Sequence, residues 1–287
     1  MNRDAKIIKL KLDIIFKRIF GDAKNDDIIR AFLEDLLEMK RGTIQQIFID
    51  NVEIPPDEIG KKFSRLDLKM KVDNQIVNIE MQVNYEADFK DRTLFYWSKI
   101  YSEELGSGEE YGELKKTICI NIINFVALDN PDYHSHFIAA EKNTGEILSE
   151  KFDIHFFELK KIRNSARKRP MEDWLNLINA ETEGDLMDVE VNTNIQEVKK
   201  AIVVLRELNA DEQLKYEASL REKRLHDEAS ALVCAKREGI AEGLIKGRAE
   251  GLIEGESIGV EKERKRITEK LRAMGMAEED ISKIYYI

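Results

Sequence analysis

Residues 65–83 read RLDLKMKVDNQIVNIEMQV, and their alternation decides the fold. Leu66, Leu68, Met70 and Val72, then Val77, Ile79, Met81 and Val83, are apolar, and the residues between them are mostly charged or amide-bearing. That pattern predicts two strands with one face on a core. Asp73-Asn74 tolerates the positive φ of a two-residue turn, which sets Val72 opposite Gln75 and, continuing the register, Asp67 opposite Glu80. Two carboxylates then share the non-core face, with Gln82 beside Glu80. Opposed Cβ atoms lie about 4.5–5.5 Å apart, so like charges there need neutralising. Lys69 and Lys71 can do this on a solvated face. A divalent cation can do it equally, and a hard-oxygen pair suits Mg²⁺. The pattern alone leaves both readings open.

Upstream, residues 10–20 (LKLDIIFKRIF) carry Leu12, Ile15, Phe16, Ile19 and Phe20 at helical spacing, with Gly21 as a stop and Asp13 four residues from Lys17. Asn25, Asp26 and Asp27 open a second helix striped by Ile28, Ile29, Phe32, Leu33, Leu36 and Leu37, with Glu34 off the stripe. Residues 43–54 read as a strand stopped by Pro55-Pro56. Downstream, residues 87–105 predict a helix with Arg92, Tyr96, Lys99 and Glu103 on one polar edge and Leu94, Phe95, Trp97, Ile100 and Tyr101 as its apolar body. Crossing back over the sheet, that helix can carry Arg92 to the hairpin's polar face. The isoleucine-rich run 117–126 (TICINIINFV) predicts a strand buried on both faces. His134 and His136 share a face of a later strand; with no third ligand at suitable spacing they read as structural. FDIHFFEL, at 152–159, closes the strand set.

The 287 residues carry a net charge of −10, which argues against coating nucleic acid by bulk electrostatics but leaves room for a local basic groove. The densest basic run holds Lys160, Lys161 and Arg163, followed by Arg167, Lys168 and Arg169; it reads as a phosphate contact or as a solvated linker. No apolar run approaches the roughly 20 residues of a membrane span, and the first residues are charged where a leader's apolar segment would lie, so a cytoplasmic protein is expected. Cys119 and Cys234 lack the spacing of a zinc site or disulfide framework.

Beyond residue 163 the pattern is helical. Glycine then recurs every fourth residue from Gly239 through Gly243, Gly247, Gly251 and Gly255 to Gly259. Each glycine inside a helix costs about 0.8–1 kcal/mol relative to alanine, so close approach of a partner backbone or a repeat without fixed partner are the two readings. A self-association arm is the preferred one. The expected organisation is a first domain over 1–162, a helical region over 163–235, and a glycine-repeat arm with terminal short helices over 236–287.

The ordered set of Asp13-Ile-Ile-Phe16-Lys17-Arg-Ile-Phe20-Gly21, the Asp67 … Glu80-Met81-Gln82 hairpin, Arg92 with Tyr96 and Tyr101, Gly108-x-x-Tyr111 and the glycine repeat resembles Rpn-type recombination-promoting nucleases. These form the transposase-like branch of the PD-(D/E)XK nucleases. The resemblance covers nearly the whole chain. It implies an α/β, restriction-endonuclease-like mixed sheet flanked by helices, and an enzyme of the Mg²⁺-dependent endodeoxyribonuclease class, a phosphodiesterase acting on DNA in recombination or mobile elements. It implies Asp67, Glu80 and the Met81 carbonyl as metal ligands, and Asp67, Glu80, Gln82 and Asp13 as the catalytic set. Arg92, Lys160, Lys161 and Arg163 are the expected nucleic-acid contacts. Gln82 stands where the superfamily usually has lysine, and Leu66 where it has proline. The glutamine and the acidic net charge leave a second class open: a nuclease-like scaffold that binds DNA as an oligomeric regulatory module without cutting it.

Overall fold

A computed structural model describes residues 2–50, 53–54, 64–65, 68–106, 108–162 and 169–284, with only the backbone at 53–54 and 64–65. The elements are α1 (Asp13–Phe20), α2 (Asp26–Leu36), β1 (Ile47–Asp50), β2 (Glu53–Ile54), β3 (Ser64–Arg65), β4 (Leu68–Val72), β5 (Gln75–Gln82), α3 (Phe89–Glu103), β6 (Lys116–Ile123), β7 (His134–Ala140), β8 (Ile147–Glu158), α4 (Pro170–Asn179), α5 (Glu183–Asn192), α6 (Gln196–Leu208), α7 (Glu212–Ala273) and α8 (Glu278–Ile284). Among the described residues, strands β2 and β3 pair with each other and the remaining six form one sheet in the order β1-β4-β5-β6-β8-β7. The β4–β5 hairpin has the expected register, Val72 on Gln75 through Leu68 on Ile79, with Asp73 at φ +50° in the turn. Strand β5 runs parallel to β6, and β6 parallel to β8, while β7 returns antiparallel along β8. The parallel β5–β6 pair requires a crossover, and α3 supplies it. The result is the mixed, helix-flanked sheet expected.

Alternation along the central strands sends side chains into two cores. Val77, Ile79 and Met81 of β5, with Ile118, Ile120 and Ile122 of β6, face the larger one, built with Phe16 and Phe20 of α1, Phe32 of α2 and Trp174 of α4. Helices α5 and α6 add Leu186, Val198, Ile202 and Leu205 to this same core. Ile76, Cys119, Ile123, Ile154 and Phe156 face the opposite side, under Phe89 and Ile100 of α3. This is why β6 is apolar almost throughout: both of its faces are covered. Helix α3 buries Phe89, Thr93 and Ile100, not the full apolar body expected, since Leu94 and Phe95 are exposed.

Two local expectations gain a different cause. Gly21 ends α1 with φ −100°, so it is not needed for a left-handed turn; a Cβ there would stand 2.6 Å from the Lys17 carbonyl oxygen and 3.3 Å from Leu68. Glu34, off the apolar stripe of α2, is nevertheless buried and accepts the Ile44 backbone N–H at 3.0 Å.

The chain divides into two compact units, Met1–His226 and Asp227–Ile287, with the division falling inside α7. In the first unit, α7 buries Leu214 and Ala218, and Arg221 donates to Asp13 at 2.8 Å. In the second, α7 continues as a helix whose six repeat glycines would each accept a Cβ with nothing within 4 Å. Ile240, Leu244, Ile245, Leu252 and Ile253 are exposed along it. Gly275, at φ +85°, ends the helix: its N–H reaches the Arg272 carbonyl at 3.0 Å and that of Met276 reaches Leu271 at 3.2 Å, the paired bonds of a left-handed glycine cap. No helix among the described residues is long and apolar enough to cross a membrane.

Candidate active site

The even-numbered residues of β5 that are polar, Asn78, Glu80 and Gln82, lie on the α3 side of the sheet, alternating with the core residues Val77, Ile79 and Met81. Glu80 is buried, and Asn78 Nδ2 donates to its Oε1 at 3.3 Å. Asn121 sits beside Glu80 in the parallel register; it accepts from Thr93 Oγ1 at 3.2 Å and donates to the His155 carbonyl at 3.1 Å. A buried carboxylate therefore stands in a layer of fixed amides and one hydroxyl. Asn78 Oδ1 is itself a buried acceptor without a hydrogen-bond partner among the described residues.

At the carboxyl end of the same strand, Gln82 Oε1 accepts from Arg92 Nη2 at 3.1 Å, and Gln82 Nε2 donates to Glu86 at 2.9 Å and to the Asn84 carbonyl at 3.1 Å. Arg92 also pairs with Glu86, and its guanidinium lies 5.1 Å from the Phe89 ring centroid and 6.0 Å from that of Tyr96. The strand delivers Gln82 and the crossover helix delivers Arg92, because the chain must turn back over the sheet edge to enter α3. The carboxyl end of parallel strands is where ligands gather in open α/β sheets.

The other expected site residues divide. Asp67 and Arg163 lie outside the described residues, as does Leu66. Asp13, in the first turn of α1, is engaged by Arg221, 208 residues away in sequence. Met81 points its side chain into the larger core. Lys160 is exposed. Lys161 turns inward instead, donating to Glu158 at 2.5 Å and to the carbonyls of Leu128 at 2.7 Å and Asn130 at 2.5 Å. Burial, with help from nearby Glu80, pushes the Cys119 thiol well up, so it is no nucleophile.

A second polar cluster lies elsewhere. His136 of β7 is opposite His155 of β8, and Asp153 precedes His155 by two residues on the same face. His136, Asp153 and His155 each offer one ligand atom within 4.8 Å of the others, a group of donors that could hold a metal ion. The partners that His136 lacked in sequence thus come from β8. The D-x-H spacing in FDIHFFEL was the available signal, but only strand pairing shows which residues it meets. Burial, then the nearby His136, depresses the His155 imidazole to about 3 from its ordinary 6.5. A depressed histidine favours folding above its unfolded pKa and loses that contribution as the pH falls from about 6.5 toward 3. The denaturation midpoint of the wild type is therefore expected to drop between pH 7 and pH 5, and that of His155→Asn to drop less.

The family model of the PD-(D/E)XK nuclease family transposases matches residues 10–235, most of the chain and all of the sheet. The chain belongs to this family. Comparison with curated proteins and with solved structures gave no match. Membership in the PD-(D/E)XK nuclease family transposases points to nuclease activity, and nucleases of this family use divalent metals. The family match and the mixed sheet agree on a restriction-endonuclease-like α/β fold.

Proposed function

We propose that the protein is a Mg²⁺-dependent endonuclease that hydrolyses DNA phosphodiester bonds in recombination or the movement of genetic elements, with its site at the carboxyl end of β5. The observation that carries this reading is the joining of Gln82 to Arg92 beside the buried Glu80. Glu80, the Met81 carbonyl and Asp67 would hold the ion, and the buried acceptor Asn78 Oδ1 on the same strand face, unpartnered among the described residues and a hard oxygen donor of the kind Mg²⁺ takes, supports this reading. An ion held there would supply a water of lowered pKa and an offset to the charge on the phosphate. In the reaction, water attacks phosphorus, one P–O bond to sugar breaks, and the departing oxygen takes up a proton.

The chain's own contribution follows from geometry. Gln82 cannot supply the positive charge that lysine would, but Arg92 stands 3.1 Å from its amide and can turn from Glu86 to a phosphate oxygen. Gln82, fixed by three hydrogen bonds, orients water or phosphate. Asp13 completes the acidic set from α1, and Lys160 and Arg163 extend the nucleic-acid contact, whereas Lys161, held by Glu158 and the Leu128 and Asn130 carbonyls, is taken out of it. In the absence of divalent metal, Arg92→Ala is expected to weaken DNA binding and to reduce the slope of log affinity against log salt by about one. An unchanged slope in a fluorescence-anisotropy salt series removes Arg92 from the phosphate contacts.

The pairing of Arg92 with Glu86 also favours a second reading, a scaffold that has kept binding and lost cutting, because that guanidinium is already neutralised. Incubating purified protein with supercoiled DNA, Mg²⁺ and excess chelator in parallel separates the two: chelator-sensitive nicking supports the nuclease. Calorimetry gives the converse, since the scaffold shows no carboxylate-dependent uptake of Mg²⁺. The organisation proposed for the chain is the nuclease domain over 1–162, the helical region over 163–235 and a self-association arm over 236–287, acting in the cytoplasm. The exposed apolar residues beside the repeat glycines support the arm. Truncation at residue 235 should then reduce the mass measured by light scattering to that of a monomer, and an unchanged association state eliminates the arm.

A further inference from the structure

The cluster on β7 and β8 is independent of the site on β5. Along β8, Asp153, His155 and Phe157 alternate with Ile154 and Phe156, which pack under α3, so the cluster occupies the opposite face of the sheet from Glu80. There it borders a cavity of about 250 Å³ closed on another side by Leu36, Leu37 and Met39 at the end of α2.

Two of the three potential ligands, His155 and Asp153, are also oriented by a partner outside the group. His155 Nδ1 is 3.0 Å from His134 Nε2; with the proton on His155 Nδ1, that bond leaves His155 Nε2 bare, 3.7 Å from Asp153 Oδ1. Asp153 Oδ1 also meets His136 Nε2, while Oδ2 is held by Lys116. The His136 and His155 rings stack with centroids 4.1 Å apart and planes at 13°. Outer contacts of this kind fix the tautomer and direction of metal-ligating imidazoles and carboxylates. Two imidazole nitrogens and one carboxylate oxygen, with open space beside them, match three-ligand transition-metal sites that keep positions for water. Nitrogen donors select against Mg²⁺ and Ca²⁺, which take oxygen.

We propose that His136, Asp153 and His155 form a binding site for a divalent transition-metal ion, with its open coordination positions toward the cavity beside α2. The side chains are already gathered on two paired strands, so binding requires only that the partly exposed His136, at 43% side-chain accessibility, adjust its ring. Asp153 then exchanges its bond from His136 for the ion while keeping Lys116.

The test uses the full chain, stripped with a chelator and titrated with Zn²⁺ in a calorimeter and with Co²⁺ by visible absorption. One equivalent that depends on His136 is expected to bind, with a Co²⁺ ligand-field spectrum, apart from any uptake at the β5 site. His136→Ala should weaken it about 10–100-fold or more, the range seen even for residues one shell further out. Glu80→Gln should leave it unchanged. His136→Gln, which keeps bulk and polarity, serves where the alanine variant melts early. Absence of stoichiometric Zn²⁺ binding overturns the proposal, as does equal binding by wild type and both His136 variants. Binding lost in Glu80→Gln and retained in His136→Ala overturns it too and assigns the ion to the β5 site. The β5 reading can fail without touching this one, because the two depend on different residues.

Discussion

Trp174→Ala is expected to destabilise the protein by about 3–5 kcal/mol. The indole is fully buried in the larger core, 5.4 Å from the Phe32 ring centroid and 6.1 Å from that of Phe20. Its Nε1 donates to Asp35 Oδ2 at 2.7 Å. Truncation opens a cavity where α1, α2 and α4 meet and withdraws a donor from a buried carboxyl that burial already pushes up in pKa, against the pull of Trp174 and Arg41. Trp174→Phe separates the two effects. It keeps a ring and loses the hydrogen bond to a charged group, a loss of about 1.5–3 kcal/mol. Urea titrations read both, and a variant pair with the wild-type midpoint would show that α4 does not belong to this core.

The second large effect falls on chemistry. Glu80→Gln is expected to lower the rate of DNA cleavage by at least about a hundredfold, on the scale of losing one group that stabilises transition-state charge. The amide keeps the volume and can still accept from Asn78, so the fold should persist; removing a buried charge can even raise the melting temperature. A loss of activity accompanied by a loss of helical or melting signal would mean that Glu80 is structural. A loss of activity at unchanged stability places it in the reaction. The same variant should take up less Mg²⁺ by calorimetry.

What could be read from the sequence follows from the range of each signal. The β4–β5 register depends on alternation and on Asp73, both local, and the structure has it as expected. The meeting of Gln82 and Arg92 was also within reach, because a strand followed by a crossover helix returns over its own face. The buried side of α3 was not. Phe89, Thr93 and Ile100 share a face that includes a threonine, whereas the consecutive aromatics near 95 look apolar on every side. Thr93 is buried because Asn121 accepts its hydroxyl, a partner 28 residues away on another strand. Glu34 and Asp35 were equally opaque: their burial depends on the Ile44 N–H and the Trp174 indole. Asp13 reads as an ordinary ion-pair partner of Lys17, yet Arg221 reaches it from α7. His134 and His136 look isolated until β8 is laid beside them. Short-range periodicity thus carried the sheet and one half of the candidate site, while partners supplied by distant elements carried the rest.

The most direct measurement is the rate at which supercoiled plasmid is nicked by wild type, Asp67→Ala and Glu80→Gln, purified identically and assayed in Mg²⁺ with and without chelator. Nicking by the wild type alone, abolished by chelator, with both variants folded, is the predicted result. Equal nicking by all three, or none by a wild type that binds DNA, would contradict a carboxylate-metal nuclease at the end of β5.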